Sequence, residues 1–291
     1  MIHRTSQRMS LVSLLVVALL AAACSIGKEA TPAPTPTATR VPTPAPTPTP
    51  APIPPPADIV KSGNLRVALD LQIGFLAKKD PAAGATIGVE VDLGRELAKR
   101  LGIAYVPVEY ATPDKILEGF KAGEWDVVMV PIQTGWETVL ESTAAYIQIP
   151  QTLLVPGSSA IRTFADADKP GTRIAFSRVN GTLERLLTGL VKQATLVRPD
   201  SSAAALDLIK NGDADALAAG LDLMPGLVGQ LPGSRILDDR FGVQQHVAYV
   251  AKGRTDLLAY VREFLEQAKA SGLIKQALAG RLGVEVAPAA R

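Results

Sequence analysis

The chain has 291 residues and one cysteine, with 30 Lys and Arg against 28 Asp and Glu. One cysteine excludes internal disulfides and cysteine-based metal sites, and with only two histidines no metal cluster and no cofactor is expected. Removing a leader that holds Arg4 and Arg8 but no acid leaves a near-neutral chain, without the basic stripe that nucleic acid requires.

In chain order, His3, Arg4 and Arg8 form a short basic head. Leu11 to Leu20 is apolar except for Ser13, and Ala21, Ala22 and Ala23 lead into Cys24. That order reads as a secretory signal, and its apolar run is too short to span a ~30 Å hydrocarbon core. A Cys directly after small residues resembles the bacterial lipobox, although Ala21 stands where that motif more often has Leu. The expectation is cleavage after residue 23, lipidation of Cys24, and anchoring on the outer face of the cytoplasmic membrane, in a periplasm or at the cell surface. No later stretch has 18 consecutive apolar residues. Thr31 to Ala57 is almost all Pro, Thr and Ala. Such composition favours polyproline II over a packed core, so residues 24–57 read as a lipidated, semi-rigid stalk. It could reach roughly 80 Å at ~3.1 Å per residue, and it is expected to add no packing to the domain.

From Asp58 onward, strand-like and helix-like segments alternate. Leu65 to Leu69 is an apolar run entering Asp70, and Val91 to Leu101 places Leu93, Leu97, Ala98 and Leu101 on one helical face. Tyr105 to Tyr110 reads as a strand. Thr112-Pro113 starts a helix, with Thr as cap and Pro at the first helical position; Ile116, Leu117 and Phe120 face inward and Gly123 ends it. Trp125 to Pro131 and Ile147 to Val155 read as buried strands. A second series follows: strand Arg173 to Ser177, helix Thr182 to Gln193 with Leu186, Leu187, Leu190 and Val191 inward, and strand Thr195 to Arg198. Next come helix Ser202 to Asn211 stopped by Gly212, and strands Ala214 to Ala219 and His246 to Ala251. Last is a helix capped by Thr255 and running to Ser271. Alternation of this kind predicts an α/β protein with mainly parallel sheet covered on both faces.

The order of these pieces resembles the type II periplasmic solute-binding proteins of family 3, the amino-acid type that serves ABC importers. The resemblance runs from about Asn64 to Gly280. It is carried by Leu65-Arg66-Val67, Phe75 to Asp80, Gly88-Val89-Glu90-Val91-Asp92-Leu93 and Leu117 to Val127. Ala204 to Gly212 with Asp213-Ala214-Asp215-Ala216, then Lys252-Gly253 and the terminal helices, complete it. The family implies two lobes joined by two crossover strands: residues 58–150 plus 242–291 as lobe 1, and 151–241 as lobe 2. The solute lies between them, beyond the strand carboxyl ends, and closure is a hinge motion.

On that plan the candidate ligand residues are Asp70, Gln72 and Phe75 after the first strand, and Gln133, Thr134 and Trp136 after the third. Lobe 2 would add Arg178, Asn180, Gly181 and Thr182 at a helix start, and Asp222. A helix start suits an anion and Arg178 suits a carboxylate, but Asn180 alone can be a cap and Arg178 a surface residue. The family usually has an Arg after the third lobe-1 strand for the ligand carboxylate; the matching place appears here as Trp136, either a cavity wall or a packing residue. It usually has an Asp after the lobe-2 strand for the α-amino group; that place falls on Gly220, with Asp222 two residues on. The expectation is weak binding of ordinary α-amino acids, and a preferred ligand with a polar or anionic end on lobe 2 and an apolar or cationic part on Trp136.

The functional expectation is therefore a non-enzymatic, monomeric binding lipoprotein that passes a small polar solute to ABC permease subunits. One alternative reports the solute to a sensor. Another is a cyclohexadienyl-dehydratase-like lyase, for which only Glu90 or Asp70 offers an acid or base, His246 reading as a core residue.

Overall fold

The computed structural model describes residues 53–71 and 74–290. The leader, Cys24, the stalk up to position 52, and Gln72 lie outside the described residues.

Along the chain come α1 (Ala57–Ser62), β1 (Asn64–Asp70), the short pair β2 (Lys78–Lys79) and β3 (Thr86–Ile87), α2 (Val89–Leu101), β4 (Ala104–Tyr110), α3 (Pro113–Lys121) and β5 (Val127–Pro131). A 3-10 turn at Trp136–Thr138 and β6 (Leu140–Ser142) lead to the long β7 (Ile147–Val155). Then follow α4 (Phe164–Ala167), β8 (Arg173–Ala175), α5 (Gly181–Leu190), β9 (Thr195–Val197), α6 (Ser202–Lys210), β10 (Ala216–Gly220), α7 (Met224–Gln230) and β11 (Arg235–Ile236). The return strand β12 (Gly242–Ala251) precedes α8 (Thr255–Ala270), α9 (Leu273–Ala277) and β13 (Glu285–Val286).

One continuous sheet has the order β4-β1-β5-β12-β7-β10-β8-β9. Its wings are parallel, as alternation predicts: β1 with β4 and β5, and β8 with β9 and β10. Its middle is antiparallel, because β7 and β12 cross between the halves in opposite directions. β12 pairs β7 from Gly242↔Gln151 to His246↔Ile147, and β5 from His246↔Pro131 to Val250↔Val127. The sheet is therefore mixed rather than mainly parallel.

Strand alternation sends side chains to opposite faces, and each half builds a core on each face. Around β1 and β5, Leu65, Val67, Leu69, Val127 and Met129 pack on one side with α2 and α8, and Ala68, Val128 and Val130 pack on the other with α3. Around β8 and β10, Ile174, Phe176, Ala216 and Ala218 face α5, and Ala175, Leu217 and Ala219 face α6 and α7. The two halves also repeat one ionic clamp. Asp126, just before β5, accepts from the Arg66 backbone N–H at 3.0 Å and its Nε at 3.0 Å, and Arg66 also donates to the Gly123 carbonyl. Asp215, just before β10, accepts from the Arg173 N–H at 2.8 Å and Nε at 3.2 Å, and Arg173 donates to the Gly212 carbonyl at 2.7 Å. Each clamp ties the first strand of a half to the Gly turn after the second helix that follows it, α3 in one half and α6 in the other.

Three local expectations change. α5 stops at Leu190 because Asp168 accepts from the N–H groups of Lys192, Gln193 and Ala194, drawing the chain out of the helix. Its inward face is Thr182, Leu183 and Leu187, and Leu190 is exposed. Thr255 does not cap α8; it is the first helical residue after Arg254, whose guanidinium reaches Asp126 and Asp58. Finally, the end of the Pro-rich stretch belongs to the fold. Ile53 donates its N–H to Glu263 at 2.8 Å and packs on the larger core, and Pro56 is buried. The proline composition hides this, since docking depends on what lies opposite.

Candidate functional site

β1, β5, β8 and β10 all end at one cavity of about 1000 Å³. Parallel strands present their carboxyl ends there, where open α/β sheets bind ligands, and the volume is at the upper end for small-molecule sites. Asp70 ends β1 and Phe75 follows it; Gln133 and Thr134 follow β5; Asn180, Gly181 and Thr182 open α5; Asp222 follows β10. All eight line the cavity. Nothing in periodicity showed that Ser177, Arg185, Gln244, Arg281 and Leu282 would line it as well.

The α5 start is built as a cap: the Asn180 side chain accepts from the Leu183 N–H at 3.1 Å, so its oxygen is spent on the helix. One turn further, Arg185 donates to Thr134 Oγ1 at 3.1 Å, linking the α5 helix to the β5 loop across the cavity. Asp222 is held partly out of water, and burial lifts its carboxyl to about 6, partly offset by backbone N–H groups of Asp222 and Leu223. Its Oδ1 occupies the space into which a side chain at Gly220 would project.

Behind Asp70 lies a sealed polar group. Glu90 is fully buried, and burial, then the Asp70 charge, raise its carboxyl well above the usual range. Tyr146 donates to it at 3.5 Å, and His246 stands edge-on to Tyr146 with its imidazole pushed down to about 3 by burial. Neither Glu90 nor His246 reaches the cavity lining.

Two sequence candidates are not at the site. Trp136 is 5% exposed. Gly135, in the left-handed region at φ 89°, starts the turn that swings the indole inward, edge-on to Tyr249 at 5.4 Å. It is a packing residue, so no aromatic wall exists there. Arg178 donates its N–H to the Pro199 carbonyl at 3.0 Å and points its guanidinium at Asp200, outside the cavity. Without both, the expected pose, with Arg178 gripping the solute's polar end and Trp136 walling its apolar or cationic part, loses its basis.

Among the described residues, no helix is long and apolar enough to cross a membrane, and no group of three or more His, Cys, Asp or Glu could hold a metal ion.

The chain is 23% identical over 192 residues to a glutamine-binding protein of Geobacillus stearothermophilus, covering 65% of this chain and 72% of that one. Among solved structures it resembles a binding component of an ABC transporter from Wolinella succinogenes complexed with lysine, at 26% identity and TM-score 0.62, over 76% of this chain and 96% of that one. It also resembles an ancestral amino-acid-binding protein, a precursor of cyclohexadienyl dehydratase, at 26% identity and TM-score 0.60, over 77% of this chain and 98% of that one. The model of one family matches residues 66–280. The chain is thus a member of the bacterial extracellular solute-binding proteins, family 3.

Proposed function

We propose that this protein captures a small α-amino acid outside the cytoplasm for an ABC importer, without catalysing a reaction on it. One observation carries the reading: the Asp222 carboxylate fills the space a side chain at Gly220 would enter. The amine-receiving acid of the family resemblance is thereby supplied from two residues downstream. In the same lining, Arg185 and the first N–H groups of α5 suit the α-carboxylate. The relatives' names, a glutamine-binding protein and a lysine complex, point to the same class. The two halves act as lobes, 58–150 plus 242–291 and 151–241, hinged on β7 and β12. Against the lyase alternative, a general acid or base must reach its substrate, and of the two candidates Glu90 is sealed away from the cavity, so that of that pair only Asp70 is in the lining.

Calorimetry with a panel of free amino acids tests this. Micromolar or tighter binding of at least one is expected, with a distinctive pH profile. An ammonium beside Asp222 favours the ionised carboxylate, so affinity is nearly full at neutral pH and is lost as pH falls through the free-state value of about 6. Linkage makes the loss about tenfold between pH 7 and pH 5. Affinity independent of pH over that window would remove Asp222 from the amine.

We further propose that the protein is held at the membrane through lipid on Cys24, the sole cysteine, directly after Ala21-Ala22-Ala23. Cys24→Ser should move it from the membrane pellet to the soluble fraction with its melting temperature unchanged. An unchanged pellet fraction would reject the anchor.

A further inference from the structure

We propose that the C-terminal segment 280–286 forms one wall of the solute site, and that Arg281 on it selects solutes whose far end carries an oxygen acceptor, a carboxylate or a carboxamide. The proposal rests on the amino-acid reading above. Because the family match ends at residue 280, the resemblance says nothing about this wall.

The segment is fixed on both sides. β13 pairs with the crossover strand β7 at Glu285↔Gln148 and Val286↔Ile147, and the Ala287 N–H donates to the Tyr146 carbonyl at 3.1 Å. Gly283, in the left-handed region at φ 76°, presses its backbone onto the turn after β10. A Cβ there would stand 2.5 Å from Asp222 N and from the Leu221 carbonyl oxygen. The segment therefore touches the same turn that carries Asp222, and it brings Arg281 and Leu282 into the cavity lining.

Arg281 lies over the Phe75 ring with 5.9 Å from guanidinium to centroid, within cation–π range. Among the described residues its side chain has no hydrogen-bond or ion-pair acceptor. Arg185, the other cavity cation, bonds Thr134 and no carboxylate. The cavity thus offers two guanidinium groups with no acid bonded to them, and one half-buried acid, Asp222, with no cation bonded to it; the other acid of the lining, Asp70, is only 3% exposed. An α-amino acid supplies an ammonium for Asp222 and a carboxylate for Arg185. One guanidinium remains, and it is matched by a third, oxygen-bearing group. A cationic side chain would meet Arg281 as a like charge.

The test is calorimetry of the full chain with L-glutamate, L-glutamine and L-lysine, for wild type, Arg281→Ala, Arg281→Glu and Asp222→Asn. Arg281 is exposed, so its variants should melt with the wild type. In the wild type, glutamate or glutamine should bind at least tenfold tighter than lysine. Arg281→Glu should reduce that ratio at least tenfold, with Arg281→Ala between. A wild-type preference for lysine, or a ratio unchanged within twofold in Arg281→Glu, overturns the proposal; the amino-acid reading then still stands if Asp222→Asn weakens binding about tenfold or more. A ratio that follows residue 281 while Asp222→Asn binds normally does the reverse. Binding of none of the three overturns the proposal, and the amino-acid reading falls with it if no amino acid of the wider panel binds.

Discussion

Adding one methyl group at Gly88 should cost the domain about 3–5 kcal/mol, from a strained backbone plus overpacking. Gly88 precedes α2 at φ 142° and ψ 175°, a conformation essentially reserved for glycine. A Cβ there would collide with the Leu76 carbonyl, 2.6 Å from its carbon and 3.0 Å from Ala77 Cα. Those atoms cannot give way cheaply. The Leu76 carbonyl accepts from the Glu90 N–H at 3.0 Å and the Phe75 carbonyl from the Val89 N–H at 3.2 Å, so they satisfy the free donors at the start of α2. Leu76 and Ala77 are themselves core residues. Gly88→Ala should lower the melting temperature by roughly 10 °C, at about 2–4 °C per kcal/mol for a domain of this size. Because Phe75 moves with this strip, solute affinity should fall too. A melting temperature within 2 °C of wild type (on the order of 0.5–1 kcal/mol) would show that the strip relaxes easily.

The second large effect concerns the acid at position 222. Asp222→Asn keeps the shape and removes the charge, so a bound ammonium loses a charge-assisted contact of about 1.5–3 kcal/mol, roughly tenfold to a hundredfold in affinity. Gly220→Ala should weaken binding without changing any charge. Its Cβ would enter the space held by Asp222 Oδ1 and approach Ile149 Cγ2 at 3.0 Å. The decisive variant returns the acid to the other position: Gly220→Asp combined with Asp222→Gly should recover most of the affinity lost in Asp222→Asn. Recovery would mean that what matters is the place of the carboxylate and not the backbone position that bears it. Should Asp222→Asn bind amino acids as tightly as wild type, the carboxylate does not hold the amine.

The sequence by itself determined the wings of the sheet and most of what covers them. β1, β4, β7 and the faces of α2 and α3 were legible because periodicity of apolar residues reports burial directly, and Thr112-Pro113 and Gly212 act on their own backbone. It also located the strand ends where the cavity forms, since that location follows from parallel topology. What the tertiary structure decided is every feature that depends on a partner distant in sequence. Trp136 and Arg178 were chosen by position in the chain, yet the turn at Gly135 buries one and Asp200 takes the other. Asp222 at the site was expected, but its service in place of Gly220 shows only when its carboxylate is seen to fill the missing side chain's space. Arg185 and Arg281 carry no periodic signal, and Ile53 sits in a stretch whose composition argues against packing. Local rules fix how a segment folds and which face it buries; they are silent on which side chain a segment meets across 50 or 200 residues of chain, because that pairing is set by the assembled sheet.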